Sequence, residues 1–338
     1  MLRETFAPSI PRLLTVAGAP CSAQSAAAGV PLIGSAGTCS AILAVELASP
    51  WAPKLAGSAA SDAHLDEAIR RIGKRAKGLR LLFFDGDGRS EDGRHKVFLF
   101  ERGGGPFRGF ARRELSVARP ALADVLDQIH IGETGELVLE AALSHQASQH
   151  PQQQGRDLFV CTHGSRDACC GKLGFPLYRH LCDRLAEPGV RLWRSSHLGG
   201  HRFAPTLLDL PSGRLYGRMR ADDADWLRDG DAGPARITEH YRGMCAMPPA
   251  AQVLEQQMWM RHGMRWLDAA LEWRCDGKDD DARVSLRAAW TDGMVCECSG
   301  ELRQIREAGR TLPESCGKEP VAIESWSLSA WSQSGEGV

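Results

Sequence analysis

No stretch of this 338-residue chain approaches the roughly 18 consecutive apolar residues that a membrane-crossing helix needs, so no membrane span is expected. Charge of one sign is missing too. There are 41 Lys and Arg against 42 Asp and Glu, a net −1, so general attraction to a polyanion such as nucleic acid is not expected. No two of the eleven cysteines are spaced Cys-x-x-Cys, which argues against a thioredoxin-like dithiol oxidoreductase. Gly103 to Gly105 lacks the strand–GxGxxG–helix setting of a flavin or nicotinamide site. Asp85-Gly-Asp-Gly88 lacks the EF-hand spacing and its closing Glu, and reads as a turn. No motif places a pair of carboxylates, so glycoside hydrolysis is not expected.

What is present is ordinary for a globular protein: 43% apolar and 25% charged residues. At roughly 150 residues per domain, the length suggests about two domains. Eleven cysteines is an odd number, and a chain this long can bury a core without staples. A reducing, cytoplasmic setting with a metal or redox site is therefore expected. Leu13 to Ala19 is a short apolar run, but Glu4 and Pro11 intrude, which reads against a signal peptide or lipidation at Cys21.

The polar segment 144–155 lacks periodicity and reads as a linker. The fold class expected is α/β (α+β): a mixed α/β N-terminal domain over 1–148, a second α/β domain over 156–245, and a helical and mixed extension over 246–338. In the first part, Ala63 to Lys77 reads as an amphipathic helix through Leu65, Ala68, Ile69 and Ile72. Leu79–Phe84 and Val97–Phe100 read as strands, and Leu122 to Ile129 as a helix. In the second, Leu158–Cys161 and Val190–Arg194 read as strands, with a helix starting near Pro176 and burying Leu177, Leu181 and Leu185. Thr206–Leu210 and Arg214–Tyr216 suggest a hairpin, and 234–242 a helix. The sum is close to a thioredoxin-type core. After 249, Trp259, Trp266 and Trp273 recur every seven residues and read as a core or docking stripe on a helix. From Ser332 the chain reads as frayed.

Two short segments carry the chemistry. Cys161-Thr-His-Gly-Ser-Arg-Asp-Ala-Cys-Cys170 ends one predicted strand, and His197-Leu-Gly-Gly-His201 ends the next. Thiolate and imidazole suit iron, zinc or copper. Structural zinc usually takes Cys-x(2–4)-Cys knuckles, whereas eight residues separate Cys161 from Cys170. The wider loop suits a 2Fe–2S cluster, with zinc as the alternative. Adjacent residues on an extended turn point opposite ways, so one of Cys169 and Cys170 serves, and the residues alone leave open which. Gly164 and Gly171 are read as supplying loop conformations closed to other residues. Arg166 and Asp167 are read as a mutual ion pair or as solvent contacts. Cys296-Glu-Cys298 and Cys316 are read as scattered cysteines or a secondary thiol site.

At these residues the chain resembles the sucrase/ferredoxin-like family, which includes thioredoxin-like ferredoxins. The matching text is Cys161 to Gly171, Trp193-Arg-Ser-Ser-His-Leu-Gly-Gly-His-Arg-Phe-Ala-Pro205 and Leu215-Tyr-Gly-Arg218. Weaker similarity covers Pro31 to Gly34, Glu46 to Trp51, and Tyr241-Arg-Gly243 with Gln252 and Glu255. The resemblance implies that 156–245 is a thioredoxin-like ferredoxin domain with a 2Fe–2S cluster held by Cys161, Cys170, His197 and His201. Ordinary thioredoxin-like ferredoxins carry cysteines where this chain has the two histidines. The fungal branch follows the second His with a Lys-aromatic-Ala-Gly-Asn run, where this chain has Arg202-Phe-Ala-Pro-Thr206. Replacing two thiolates by neutral imidazoles raises the net charge of the site by two. Reduction then opposes less negative charge, so the potential should lie nearer the Rieske range of about −150 to +300 mV than the −400 mV of plant-type ferredoxins. The expected role is one-electron transfer with a separate reductase as donor, rather than catalysis; sucrose hydrolysis gains no support. The other readings left open are an oxidant or metal stress sensor and a zinc-stabilised binding module.

Overall fold

Alternating apolar runs and amphipathic helices build two copies of one topology. In the computed structural model a short helix α1 (Cys21–Ala27) precedes strand β1 (Ala41–Glu46). Helix α2 (Ala63–Arg75), then β2 (Leu79–Asp85), β3 (Arg94–Glu101) and β4 (Ala111–Ala118) follow. Helix α3 (Leu122–Gln128), a small hairpin of β5 (Ile129–Ile131) and β6 (Leu137–Leu139), and β7 (Ala147–Gln149) complete the first half. The second half runs β8 (Arg156–Cys161), α4 (Ala168–Arg184), β9 (Val190–Ser195), β10 (Leu207–Leu210) and β11 (Arg214–Tyr216). It continues through α5 (Ala224–Asp229), α6 (Pro234–His240) and β12 (Tyr241–Met244). Helix α7 (Pro249–His262) leads into β13 (Ala270–Lys278), β14 (Asp281–Ala289), β15 (Val295–Pro313) and β16 (Pro320–Ser334). The structure describes residues 18–75, 77–86, 93–132, 137–139, 147–149, 155–229, 233–278 and 280–334.

Ten strands form one sheet in the order β12-β11-β10-β8-β9-β2-β1-β3-β4-β7. Strands β8 and β9 are parallel, with β10 antiparallel to β8 and β11 antiparallel to β10. This is the thioredoxin-type arrangement. The first half repeats it: β1 and β2 are parallel, β3 is antiparallel to β1, and β4 to β3. The halves meet where β2 and β9 pair antiparallel through Phe84 with Ser195 and Asp85 with Arg194. A single sheet thus crosses the position read as a linker. Most of 144–155 lies outside the described residues, but Ala147–Gln149 adds an edge strand to β4.

The seam is short in hydrogen bonds and is reinforced by side chains. Phe84 stacks on Phe98 at 4.7 Å and meets Trp193 edge-on at 5.0 Å. Asp157, fully buried, accepts from Arg112 at 2.6 Å, Arg191 at 2.7 Å and Trp193 Nε1 at 2.8 Å. Arg191 also reaches Glu114 at 2.8 Å. A carboxylate from the second half therefore neutralises guanidinium groups from both halves, a requirement for burying charge at all.

Several elements differ from the sequence reading, each for a local reason. Helix α4 starts at Ala168, eight residues before Pro176, because the Asp167 side chain accepts from Cys169 N at 2.8 Å and caps it. Pro176 lies inside the helix. The tryptophan repeat does not ride one helix. Gly263, at φ 59°, ends α7; Trp266 sits in a 3₁₀ turn (Gly263–Asp268) and Trp273 on β13. Trp259 and Trp266 are nevertheless core. The extension is chiefly a four-stranded antiparallel sheet, β13-β14-β15-β16, on which α7 packs. Its inward positions alternate: Val284, Leu286 and Ala288 on β14, Cys296, Cys298 and Leu302 on β15. The spacing-two cysteines are thus core residues of a strand. Strand β16 runs to Ser334, past the expected fraying point. Asp85 accepts from Ser49 N and Oγ, while the rest of the Asp85–Gly88 turn beyond Gly86 lies outside the described residues.

Removing the buried hub takes away the carboxylate that Arg112 and Arg191 share, while Arg191 keeps Glu114. Asp157→Ala is expected to lower the unfolding free energy by about 3–5 kcal/mol, read from urea midpoints at constant m-value.

Candidate metal centre

Parallel β8 and β9 end side by side, so the loops that leave them meet at one end of the sheet. Cys161 is the last residue of β8, and Cys170 lies in the first turn of α4. Ligating atoms of Cys161, Cys170 and His197 lie within 4.8 Å of one another. His201 joins them: its Nδ1 is 3.8 Å from the Cys170 Sγ, and its ring stacks on that of His197 with centroids 3.9 Å apart. The four predicted residues thus stand together, the thiols buried and the imidazoles half-exposed.

Cys169 and Cys170 occupy a helical turn, not an extended one. Successive helical side chains point to different faces, and here they part company. Cys170 faces Cys161, while Cys169 lies 3.6 Å from Cys21 Sγ and 3.3 Å from Cys316 Sγ. Arg166 and Asp167 likewise turn to separate partners. Exposed Arg166 donates to Pro53 O, and buried Asp167 caps α4 and accepts from Ser315 Oγ and Cys316 N.

Close approach, rather than left-handed backbone, explains the glycines of the first loop. A Cβ on Gly174 would lie 1.9 Å from Cys161 O, so α4 can press against the end of β8 only there. Neither Gly164 nor Gly171 has positive φ; a Cβ on Gly171 would lie 2.7 Å from Gly164 Cα. In the second loop Gly199 and Gly200 do adopt φ 83° and 72°. Arg242 donates to Gly199 O at 2.9 Å and to Ser35 O at 2.7 Å, and fills the space a Gly200 side chain would need. Burial, with Arg80 and Arg202 nearby, pushes the Arg242 guanidinium down to about 9. It stays cationic at neutral pH beside the thiol pair.

His163 was not singled out in the sequence, although it stands within the Cys161 motif. Its Nε2 donates to Ala52 O at 3.1 Å and Trp51 O at 3.3 Å, and its Nδ1 accepts from His197 N at 3.1 Å. This neutral tautomer joins both ligand loops to the chain that follows β1. The resembling residues on α7 act further out. Gln252 donates to Ala36 O and Met247 O, and Glu255 accepts from Tyr241 Oη and Trp266 Nε1.

The electrostatics fit anionic sulfur beside neutral imidazole. The hydrogen bond from Cys170 holds the Cys161 thiol well below its usual range against the opposing effect of burial, with His197 adding to it. Cys170, donor to Cys161 and itself buried, is pushed up. Burial, then His197, pushes His201 down to about 4. Nδ1 of His197 is buried without a hydrogen-bond partner. Two thiols, two imidazoles and one unpartnered ring nitrogen form a donor set that fits a soft or intermediate metal body.

Fold and site together define a thioredoxin-like α/β protein with a cluster of two buried thiols and two partly exposed imidazoles. The chain belongs to the sucrase/ferredoxin-like family, whose model matches residues 32–243, more than half of its length. No curated protein matches it. Among solved structures it is similar to a thioredoxin-like [2Fe-2S] ferredoxin from Aquifex aeolicus. The two are 16% identical over 24% of this chain and 86% of that one, with a TM-score of 0.21. Among the described residues, no helix is long and apolar enough to cross a membrane.

Burial lowers the pKa of His163 as well as that of His201. A histidine depressed in the fold stabilises it fully above the unfolded value of about 6.5 and loses that contribution as pH falls toward the folded value. The metal-free chain should therefore lose stability from about pH 6.5 downward. His163→Gln, which can still donate to the Ala52 carbonyl and accept from His197 N, should lose less over the same range. Urea midpoints across pH 4–8 measure both slopes; equal slopes would remove His163 from the account.

Proposed function

We propose that this chain is an iron–sulfur electron-transfer protein whose 2Fe–2S cluster is held by Cys161, Cys170, His197 and His201. The observation that carries the reading is the convergence of these donors from two adjacent strand ends, with His197 Nδ1 buried and unpartnered. A cluster of this ligation supplies one-electron transfer at a potential above that of all-thiolate ferredoxins.

The chain's own residues prepare that site. Cys161 is already biased toward thiolate, so binding displaces fewer protons than two ordinary thiols would release. His163 fixes the His197 backbone, and Arg242 fixes the Gly199–Gly200 turn. The thiol side is closed off by β8 and α4, whereas both imidazoles are partly exposed. A separate reductase therefore approaches from the histidine side. All eleven cysteines are free, which suits a reducing compartment such as the cytoplasm.

Anaerobic purification should give a red-brown protein with about two iron and two sulfide per chain. Its reduced form should show a rhombic EPR signal with nitrogen couplings. Cys161→Ser should abolish the colour, and Cys170→Ser should do so where Cys169→Ser does not. Colourless protein with zinc at these four residues would overturn the reading.

Neutral imidazole ligands can lose their outer proton, and reduction favours the protonated form. The midpoint potential should fall as pH rises through the ligand titrations. Potentiometry over about pH 6–10 tests this; a flat profile counts against histidine ligation.

A further inference from the structure

A second cluster of side chains able to bind a metal lies on a different face of the first turn of α4. It draws one cysteine from each of three remote segments: Cys21 on α1, Cys169 on α4, and Cys316 in the turn between β15 and β16. The three sulfurs form a triangle of 3.6, 3.3 and 3.6 Å. The Asp167 carboxylate lies 3.9 Å from the Cys21 Sγ, and one ligating atom from each of the four residues falls within 4.8 Å of the others.

The sulfur separations decide among the chemistries. A disulfide needs about 2.05 Å, so no pair here is bonded. Around one zinc ion with Zn–S near 2.3 Å, tetrahedral sulfurs stand about 3.8 Å apart. The triangle is a few tenths of an ångström inside that spacing, and too tight for thiols that each hold a different iron of a cluster. Three thiols packed together without an ion repel as they ionise. Burial and the Cys169 charge accordingly push Cys21 far up. Supporting groups are in place. Ser22 Oγ donates to Cys169 Sγ at 3.2 Å, while Ser315 Oγ, Cys316 N and Cys169 N fix the carboxylate of Asp167. Cys21 and Cys169 are buried, but Cys316 is half-exposed beside a cavity of about 640 Å³ lined also by Lys172 and Lys318, which gives an ion a way in.

We infer that Cys21, Cys169, Cys316 and Asp167 form a mononuclear zinc site that locks α1 and the β15–β16 turn onto the start of α4. Binding displaces the three thiol protons to solvent; the carboxylate is already ionised, and no electron moves. The site is distinct from the one under the proposed function and stands whether or not that reading does. It acts on the neighbouring centre through the backbone, since Cys169 and Cys170 are adjacent.

Elemental analysis of the purified full chain should find about one zinc per chain at this site. Cys21→Ser and Cys316→Ser should each reduce that at least about tenfold, while Cys161→Ser and the exposed control Cys275→Ser should retain it. Cobalt added to zinc-stripped protein should give tetrahedral visible bands with thiolate charge transfer, lost in Cys316→Ser. Circular dichroism of each variant confirms that it is folded. The inference fails if zinc content is unchanged in Cys21→Ser and Cys316→Ser, or if it disappears in Cys161→Ser but not in these. It fails also if zinc-stripped protein takes up no cobalt, or if intact mass shows a disulfide among the three cysteines in protein purified under reducing conditions.

Discussion

The Asp167 carboxylate sets the start of helix α4, and the placing of both thiol groups follows from that start. It caps the helix through Cys169 N and holds the β15–β16 turn through Ser315 and Cys316 N. Burial works against the ionised form, but these hydrogen bonds outweigh it and keep the acid below the ordinary carboxylate range. With the helix starting at Ala168, adjacent cysteines fall on different faces. A start near Pro176 would leave both in irregular chain, with nothing to separate them.

The site also depends on a close fit between α4 and the end of β8. Gly174 permits it, because any side chain there would collide with the Cys161 carbonyl. His163 and Arg242 then fix the second loop from opposite sides, one through the His197 backbone and the other through Gly199. Both loops are thus held by hydrogen bonds to main-chain atoms, which leaves the ligating side chains free of structural duty. Such a division suits a centre whose donors must be pre-organised before any metal arrives.

Much of this was legible in the sequence, and what was not has physical causes. Strand β8 is a continuous apolar run, the buried stripe of α4 has helical spacing, and both ligand loops follow strands, so their meeting was foreseeable. The shared sheet was not, because pairing between β2 and β9 rests on two residue pairs and leaves no local pattern. The C-terminal sheet was masked by the tryptophan spacing, although the alternation of Val284, Leu286 and Ala288 carries the strand signal. His163 sat inside the motif but looked like one more histidine; only tertiary structure supplies its three partners. The triad of Cys21, Cys169 and Cys316 is invisible in principle to spacing rules, since each segment contributes a single thiol and separations exceed 140 residues.

The repeated topology has a thermodynamic consequence. Two thioredoxin-type halves that pair edge to edge as separate chains would come apart on dilution, and with them the carbonyls of Trp51 and Ala52 that anchor His163. Here the second half of the sheet is covalently tethered, so the effective concentration of one half at the other is set by chain length and not by how much protein is present. The centre is therefore as complete in a dilute cell extract as in a concentrated sample, a property that an assembled dimer of the same architecture would not share.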